Sequence, residues 1–140
     1  MYDNPEILWP KTKHNVLVAL KVYNYYFLSL INESGLKISE DYRIEVNVNQ
    51  FRFSNKTKKE ENKRIEIIKQ VITSFNKLNN IDKEIIYRTY LSKIKVNDDV
   101  IANDLGFSVK YYYKIKKEAI IRLAFALGVE VLKEDNNEND

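Results

Sequence analysis

Between residues 98 and 117 the apolar residues fall at the spacings that two short helices joined by a tight turn require. With Asp98 as the first position, Ile101, Ala102, Leu105, Gly106, Phe107 and Ile115 stand fourth, fifth, eighth, ninth, tenth and eighteenth. Each residue type has a physical reason. Ala102 is small enough for the second helix to pack closely over the first. Gly106 supplies the positive φ of the turn. Ile101, Leu105, Phe107 and Ile115 make a small core that fixes the angle between the helices. Asp98 or Asn97 caps the first helix and Ser108 the second, which runs to Gly128. The fifteenth position departs from this pattern: Tyr112 stands where a branched aliphatic residue is usual. Tyrosine can fill the space, with the expectation that it shifts the helix outward.

This window predicts a helix-turn-helix, and the sequence around it extends the pattern. Ile65, Ile68, Val71 or Ile72, Phe75 and Leu78 recur every three or four residues, the stripe of an amphipathic helix that ends at Asn79 and Asn80. Asp82 is placed to cap the next helix, with Ile81 and Ile86 as a hydrophobic staple and Ile85, Ile86, Tyr90 and Ile94 on its apolar side. Nearer the N-terminus, residues 16–31 are apolar on most sides, a helix of about 18 residues. Such a helix needs partners on several faces, from its own domain or from a second copy. Residues 42–48 alternate Tyr42, Ile44, Val46 and Val48 with polar residues, the signature of a half-buried strand, and Phe51 and Phe53 continue it or pair with it as a hairpin. The expected fold is mainly α: a helical bundle with a C-terminal helix-turn-helix and a short strand or hairpin in the N-terminal part. Residues 1–54 form a helix plus strand for dimerisation or protein contact, residues 55–132 a helical domain, and residues 133–140 a disordered acidic tail.

Composition excludes several classes. The chain has 140 residues, no cysteine and one histidine, His14, so disulfides, thiolate metal sites and imidazole zinc sites are not expected. There is no glycine-rich phosphate loop and no nucleophile elbow. Asp98, Asp99 and Asp104 read as a cap, a first-turn anion and solvated surface instead of a metal cluster. Neither an enzyme nor a cofactor is expected. No basic start leads into an apolar stretch near Met1, and residues 16–31 fall short of the roughly 20 apolar residues that span a bilayer. The expected location is the cytoplasm of a bacterial host cell, with no membrane partner.

Charge points to duplex DNA. The whole chain is +3, whereas residues 108–122 hold Lys110, Lys114, Lys116, Lys117 and Arg122 against Glu118 alone, a net +4. After the Ser108 cap, the residues directed at a major groove are Val109, Lys110, Tyr113, Lys114 and Lys117, with Tyr111 flanking them. Lysines interleaved with aromatics suit phosphate and base-edge contact. The capped helix start favours a phosphate as well. A second basic run, Lys56, Lys58, Lys59, Lys63 and Arg64, is diluted by Glu60 and Glu61 and reads as a solvated helix start.

From residue 78 to 132 the chain reads LNNIDKEIIYRTYL, then DDVIANDLGFS, then KYYYKIKKEAIIRLAFALGVEVL. This resembles the ArpU family of phage-encoded transcriptional regulators from Gram-positive hosts, related to RinA-type late-gene activators. The shared features are Tyr111 to Tyr113, Ala119, Leu123-Ala124 and Leu127-Gly128. The segment also resembles region four of bacterial sigma factors. The resemblance implies a sequence-specific, double-stranded DNA-binding regulator that activates phage late genes, with RNA polymerase as a further partner. A homodimer would read half-sites about one helical turn apart. Two other readings are a module that contacts RNA polymerase or a packaging component without reading DNA, and a small terminase-like packaging subunit.

Overall fold

A computed structural model describes residues 6–32 and 35–133. The order is α1 (Trp9–Leu28), a hairpin of β1 (Leu36–Ile38) and β2 (Ile44–Val46), α2 (Lys58–Asn76), α3 (Asn80–Ile86), α4 (Asp98–Leu105) and α5 (Val109–Leu127). The fold is mainly helical with one small antiparallel sheet, as the sequence predicts. Residues 134–140, expected to form a disordered tail, lie outside the described residues. Lys133, grouped with that tail, belongs to the fold: its backbone N–H donates to the Glu6 carbonyl at 2.6 Å.

Helix α1 starts at Trp9, well before the apolar stretch, because Pro10 sits in its first turn, where a missing N–H costs nothing. It is not buried all round. Thr12, Val16, Leu20 and Tyr23 face inward, while Val18, Tyr25 and Leu28 are exposed. Its start is fastened to the segment after α5. Leu8 N–H donates to the Val131 carbonyl at 2.9 Å, Val131 N–H to the Thr12 hydroxyl at 3.0 Å, and the Asn15 amide to the Val129 carbonyl at 3.0 Å.

The strand is shorter than the alternation over residues 42–48 suggests. Tyr42 has a φ of 64° and belongs to the turn, and Val48 opens a 3₁₀ turn. The partner of β2 is β1, with Leu36 opposite Val46 and Ile38 opposite Ile44, and not Phe51 to Phe53. Asn76 of α2 closes the other edge of β2. Its side chain accepts from Ile44 N–H at 2.9 Å and donates to Ile44 C=O at 2.7 Å, so the outer edge of β2 has its bonds satisfied by a helix. Phe51 and Phe53 leave the sheet and enter the core. Gly35 lets the chain return against Phe51: a Cβ there would lie 2.6 Å from the Asn47 carbonyl oxygen.

Thr57 caps α2 through its hydroxyl, which accepts Glu60 N–H and donates to the Glu60 carboxylate, both at 3.1 Å. The stripe Ile68, Val71, Ile72 and Phe75 is buried, and Leu78 follows it. The next helix begins earlier than expected. Asn79, not Asp82, is its cap, accepting Asp82 N–H at 2.8 Å. Ile81 is 43% exposed and makes no staple, and Ile94, 80% exposed, lies beyond the helix. A π-helical turn over Tyr87–Leu91 breaks the period that would have carried the stripe to Ile94.

One core joins Val16, Leu20 and Tyr23 of α1, Ile44, Phe51 and Phe53, Ile68 to Phe75 of α2, and Ala119, Ile120, Leu123, Ala124 and Leu127 of α5. Residues on both sides of position 54 share it. Asp82 occupies the third position of α3, is 1% exposed, and is held by Arg122 of α5 at 2.5 and 3.0 Å. A buried carboxylate stripped of its cation carries an uncompensated charge. Arg122→Ala should therefore cost about 2–3 kcal/mol in urea unfolding, less than a fully buried pair because Arg122 faces solvent on one side. Arg122→Lys should recover only part of this, since a lysine cannot make both bonds in parallel.

Candidate functional site

Helix α4, the turn and α5 form the helix-turn-helix. Gly106 ends α4 with φ 72° and ψ 25°, and Phe107 N–H reaches back to the Ala102 carbonyl at 2.9 Å, closing the last turn. Ser108 caps α5, its hydroxyl accepting Tyr111 N–H at 3.2 Å. A second, smaller core lies beneath: Ile85 of α3, Ile101 and Ala102 of α4, and Tyr112 of α5, with Val96, Leu105, Phe107 and Ile115 at its margin.

Tyr112 fills the space beneath the helix. Among the described residues it is the largest fully buried side chain, at 0% exposure. A buried hydroxyl needs a partner, and Tyr112 donates to Asp98 at 2.6 Å. Asp98 is accordingly not a helix cap. Asn97 stands at the cap position of α4, without a side-chain bond, and Asp98 turns toward α5. Both of its oxygens also accept from Lys116 at 3.1 Å, and Tyr113 donates more weakly at 3.4 Å. Burial raises the Asp98 pKa, but the bonds from Tyr112 and Lys116 outweigh it and hold the carboxyl below its usual range. Burial, then the bond to Asp98, push the Tyr112 hydroxyl well above the usual tyrosine range. A second link ties the far ends of α3 and α4: Arg88 donates to Glu84 at 2.9 Å and to Asp104 at 2.7 Å, so Asp104, exposed as expected, also holds a cation.

These contacts sort the cations of α5. Lys116 is taken by Asp98 and lies over the rings of Tyr90 and Tyr113, and Arg122 is taken by Asp82. Lys110, Lys114 and Lys117 are exposed and make no ion pair among the described residues. Val109, Lys110, Tyr113, Lys114 and Lys117 share one outward stripe, starting beside the exposed Ser108. Tyr111 falls outside it: its ring packs edge-on against Phe107 and lines a shallow cleft with Asn79, Asp82, Ile115 and Arg122. Tyr113 stays on the stripe with its hydroxyl turned back to Asp98. Asp99 is exposed in the first turn of α4.

Two residues near the stripe carry no sequence signal. Trp9 of α1 lies under Lys117, whose ammonium is 5.0 Å from the ring centre, and Lys13 reaches the same ring at 5.9 Å. In the second basic run, Arg64 of α2 rests on the ring of Tyr26. Among the described residues no group of histidines and carboxylates is arranged to hold a metal ion, and no helix is long and apolar enough to cross a membrane.

Two outcomes follow from the Asp98 knot. Tyr112→Phe should cost about 1–2 kcal/mol, the loss of one buried charge-assisted bond, with the fold retained. Because the folded Asp98 pKa is depressed, its contribution is complete above the unfolded value of about 3.9 and is lost as pH falls through the lower folded value. Thermal melts from pH 6 to pH 2 should show a shallower acid decline for Asp98→Asn than for the native chain; parallel curves would place the acid-sensitive group elsewhere. No family model, curated protein or solved structure matches this chain at a significant level.

Proposed function

We propose that this chain is a sequence-specific, double-stranded DNA-binding regulator of transcription that reads the major groove with the first half of α5. The observation that carries the reading is the sorting of charge on that helix. Two of its five cations are paired with carboxylates of the fold, and the three left over, Lys110, Lys114 and Lys117, stand on one exposed stripe with Val109 and Tyr113. The stripe begins at the capped helix start, where free amides favour a phosphate. Lysines contribute counterion release, and Tyr113 and Val109 offer apolar contact to base edges. The resemblance to ArpU-type regulators supports placing the target among phage late promoters, with activation as the outcome and a bacterial cytoplasm as the setting.

A second reading is a module that binds a protein partner without reading DNA. It is favoured by exposed apolar side chains at the end of α1 and in the loop before α4: Leu28, Ile31 and Ile94.

Electrophoretic mobility shifts on phage promoter fragments at 50 and 200 mM salt separate the two. The DNA reading expects binding that survives random competitor and weakens steeply with salt. Lys114→Ala combined with Lys117→Ala should reduce affinity at least tenfold and flatten the salt dependence by about two phosphate contacts. Absence of any shift at low salt would leave the protein-partner reading in place.

A further inference from the structure

We propose that the start of α1 is a second contact to DNA, a clamp on the phosphate backbone beside the groove that α5 enters. It rests on the DNA-binding reading above and adds a surface that the helix-turn-helix pattern does not contain.

Three observations on different elements converge. First, Lys13 of α1 and Lys117 of α5 sit on the same indole, that of Trp9, with ammonium groups 5.9 and 5.0 Å from its centre. They are therefore no more than about 11 Å apart. Neither has a carboxylate partner among the described residues, whereas Arg88, Lys116 and Arg122 are all paired. Two unpaired cations gathered on one ring repel each other. A phosphate approaching this ring meets the positive potential of both. Lys117 is also the last residue of the outward stripe, so the pair continues the α5 surface onto α1.

Second, the start of α1 is basic on its solvent side. From Trp9 to Leu28 it has no Asp or Glu, and its start holds the exposed Lys13. This surface is not a loose arm. The bonds from Leu8, Thr12 and Asn15 to the segment at Val129 and Val131 fix the first turns of α1 against the end of the bundle. The helix backbone that carries Lys13 is therefore in place before any ligand arrives, which lowers the entropy lost on binding.

Third, the usual place for such a contact is unsuitable here. In a helix-turn-helix the first of the two helices crosses the backbone. The first turn of α4 carries Asp98 and Asp99, and Asp99 is exposed and repels a phosphate. A backbone anchor on another element avoids that repulsion, and α1 supplies Lys13, an unpaired cation on the ring that Lys117 also meets.

Trp9 is the sole tryptophan of the chain, so it reports on its own site. The test titrates the full chain with a fluorescein-labelled, random-sequence 30-base-pair duplex, following anisotropy and Trp9 emission from 50 to 200 mM salt. The clamp expects Trp9 emission to change in step with binding. Lys13→Gln should weaken binding about three- to fivefold and lower the log–log salt slope by about one, while Lys13→Arg keeps both near native values. Should Lys13→Gln lower the melting temperature, Lys13→Met takes its place, because it keeps an aliphatic stem on the indole without the charge. Native affinity and slope in the neutral variant, or unchanged Trp9 emission at saturation, would overturn the clamp and leave the groove reading standing. A native chain that binds no duplex at 50 mM salt would overturn both.

Discussion

The buried hydroxyl of Tyr112 is the constraint around which the C-terminal unit is organised. A tyrosine at a core position brings a large apolar ring and one polar atom that has lost its water. The atom must be satisfied where the ring ends, and in this fold that point is the first turn of α4. Asp98 meets the need, but a carboxylate placed there requires a cation of its own, and Lys116, one turn along α5, provides it. Three side chains thus hold α4 to α5 at a spacing that four apolar residues alone would leave loosely defined. The knot also removes one negative and one positive charge from the surface, which decides how the rest of the helix meets solvent.

Helix α5 serves two cores in succession. Its first half contributes Tyr112 and Ile115 to the small core with α3 and α4, and its second half contributes Ala119, Ile120, Leu123, Ala124 and Leu127 to the main core with α1 and α2. Asp82 and Arg122 bridge the two regions, joining the start of α3 to the middle of α5. The N-terminal helix and hairpin complete the packing of α5 as well as adding to its surface.

The helix-turn-helix was legible because its signals are local. Gly106, the Ser108 cap and the spacing of Ile101, Ala102 and Leu105 each act within a few residues. The same holds for the buried stripe of α2. The rest depended on distant partners. Nothing near residues 42–48 says which strand will pair with β2, nor that its other edge will be closed by Asn76, thirty-two residues from Ile44 in sequence. Asp82 had the right residue type for a cap, and the neighbouring Asn79 won because Asp82 is drawn inward by Arg122, forty residues on. For Asp98 a usable signal existed: a hydroxyl at a core position demands an acceptor, and the nearest carboxylates lie at the start of α4. Of the candidate site residues, the three lysines, Val109 and Tyr113 share the stripe because helical period alone places them. Tyr111 leaves it because Phe107, just before the cap, offers its ring a neighbour. The Trp9 contact was hidden, since its partner stands more than a hundred residues away.

The continuity of α5 has a mechanical side. Its 19 residues contain neither glycine nor proline, so it is one stiff rod of about 28 Å. The outward stripe and the main core are opposite ends of that rod. The stripe cannot tilt without levering Leu123 and Ala124 out of their packing, and a loosened core is felt at once as a misdirected stripe. In such a molecule the orientation of the exposed surface and the cohesion of the whole domain are one degree of freedom.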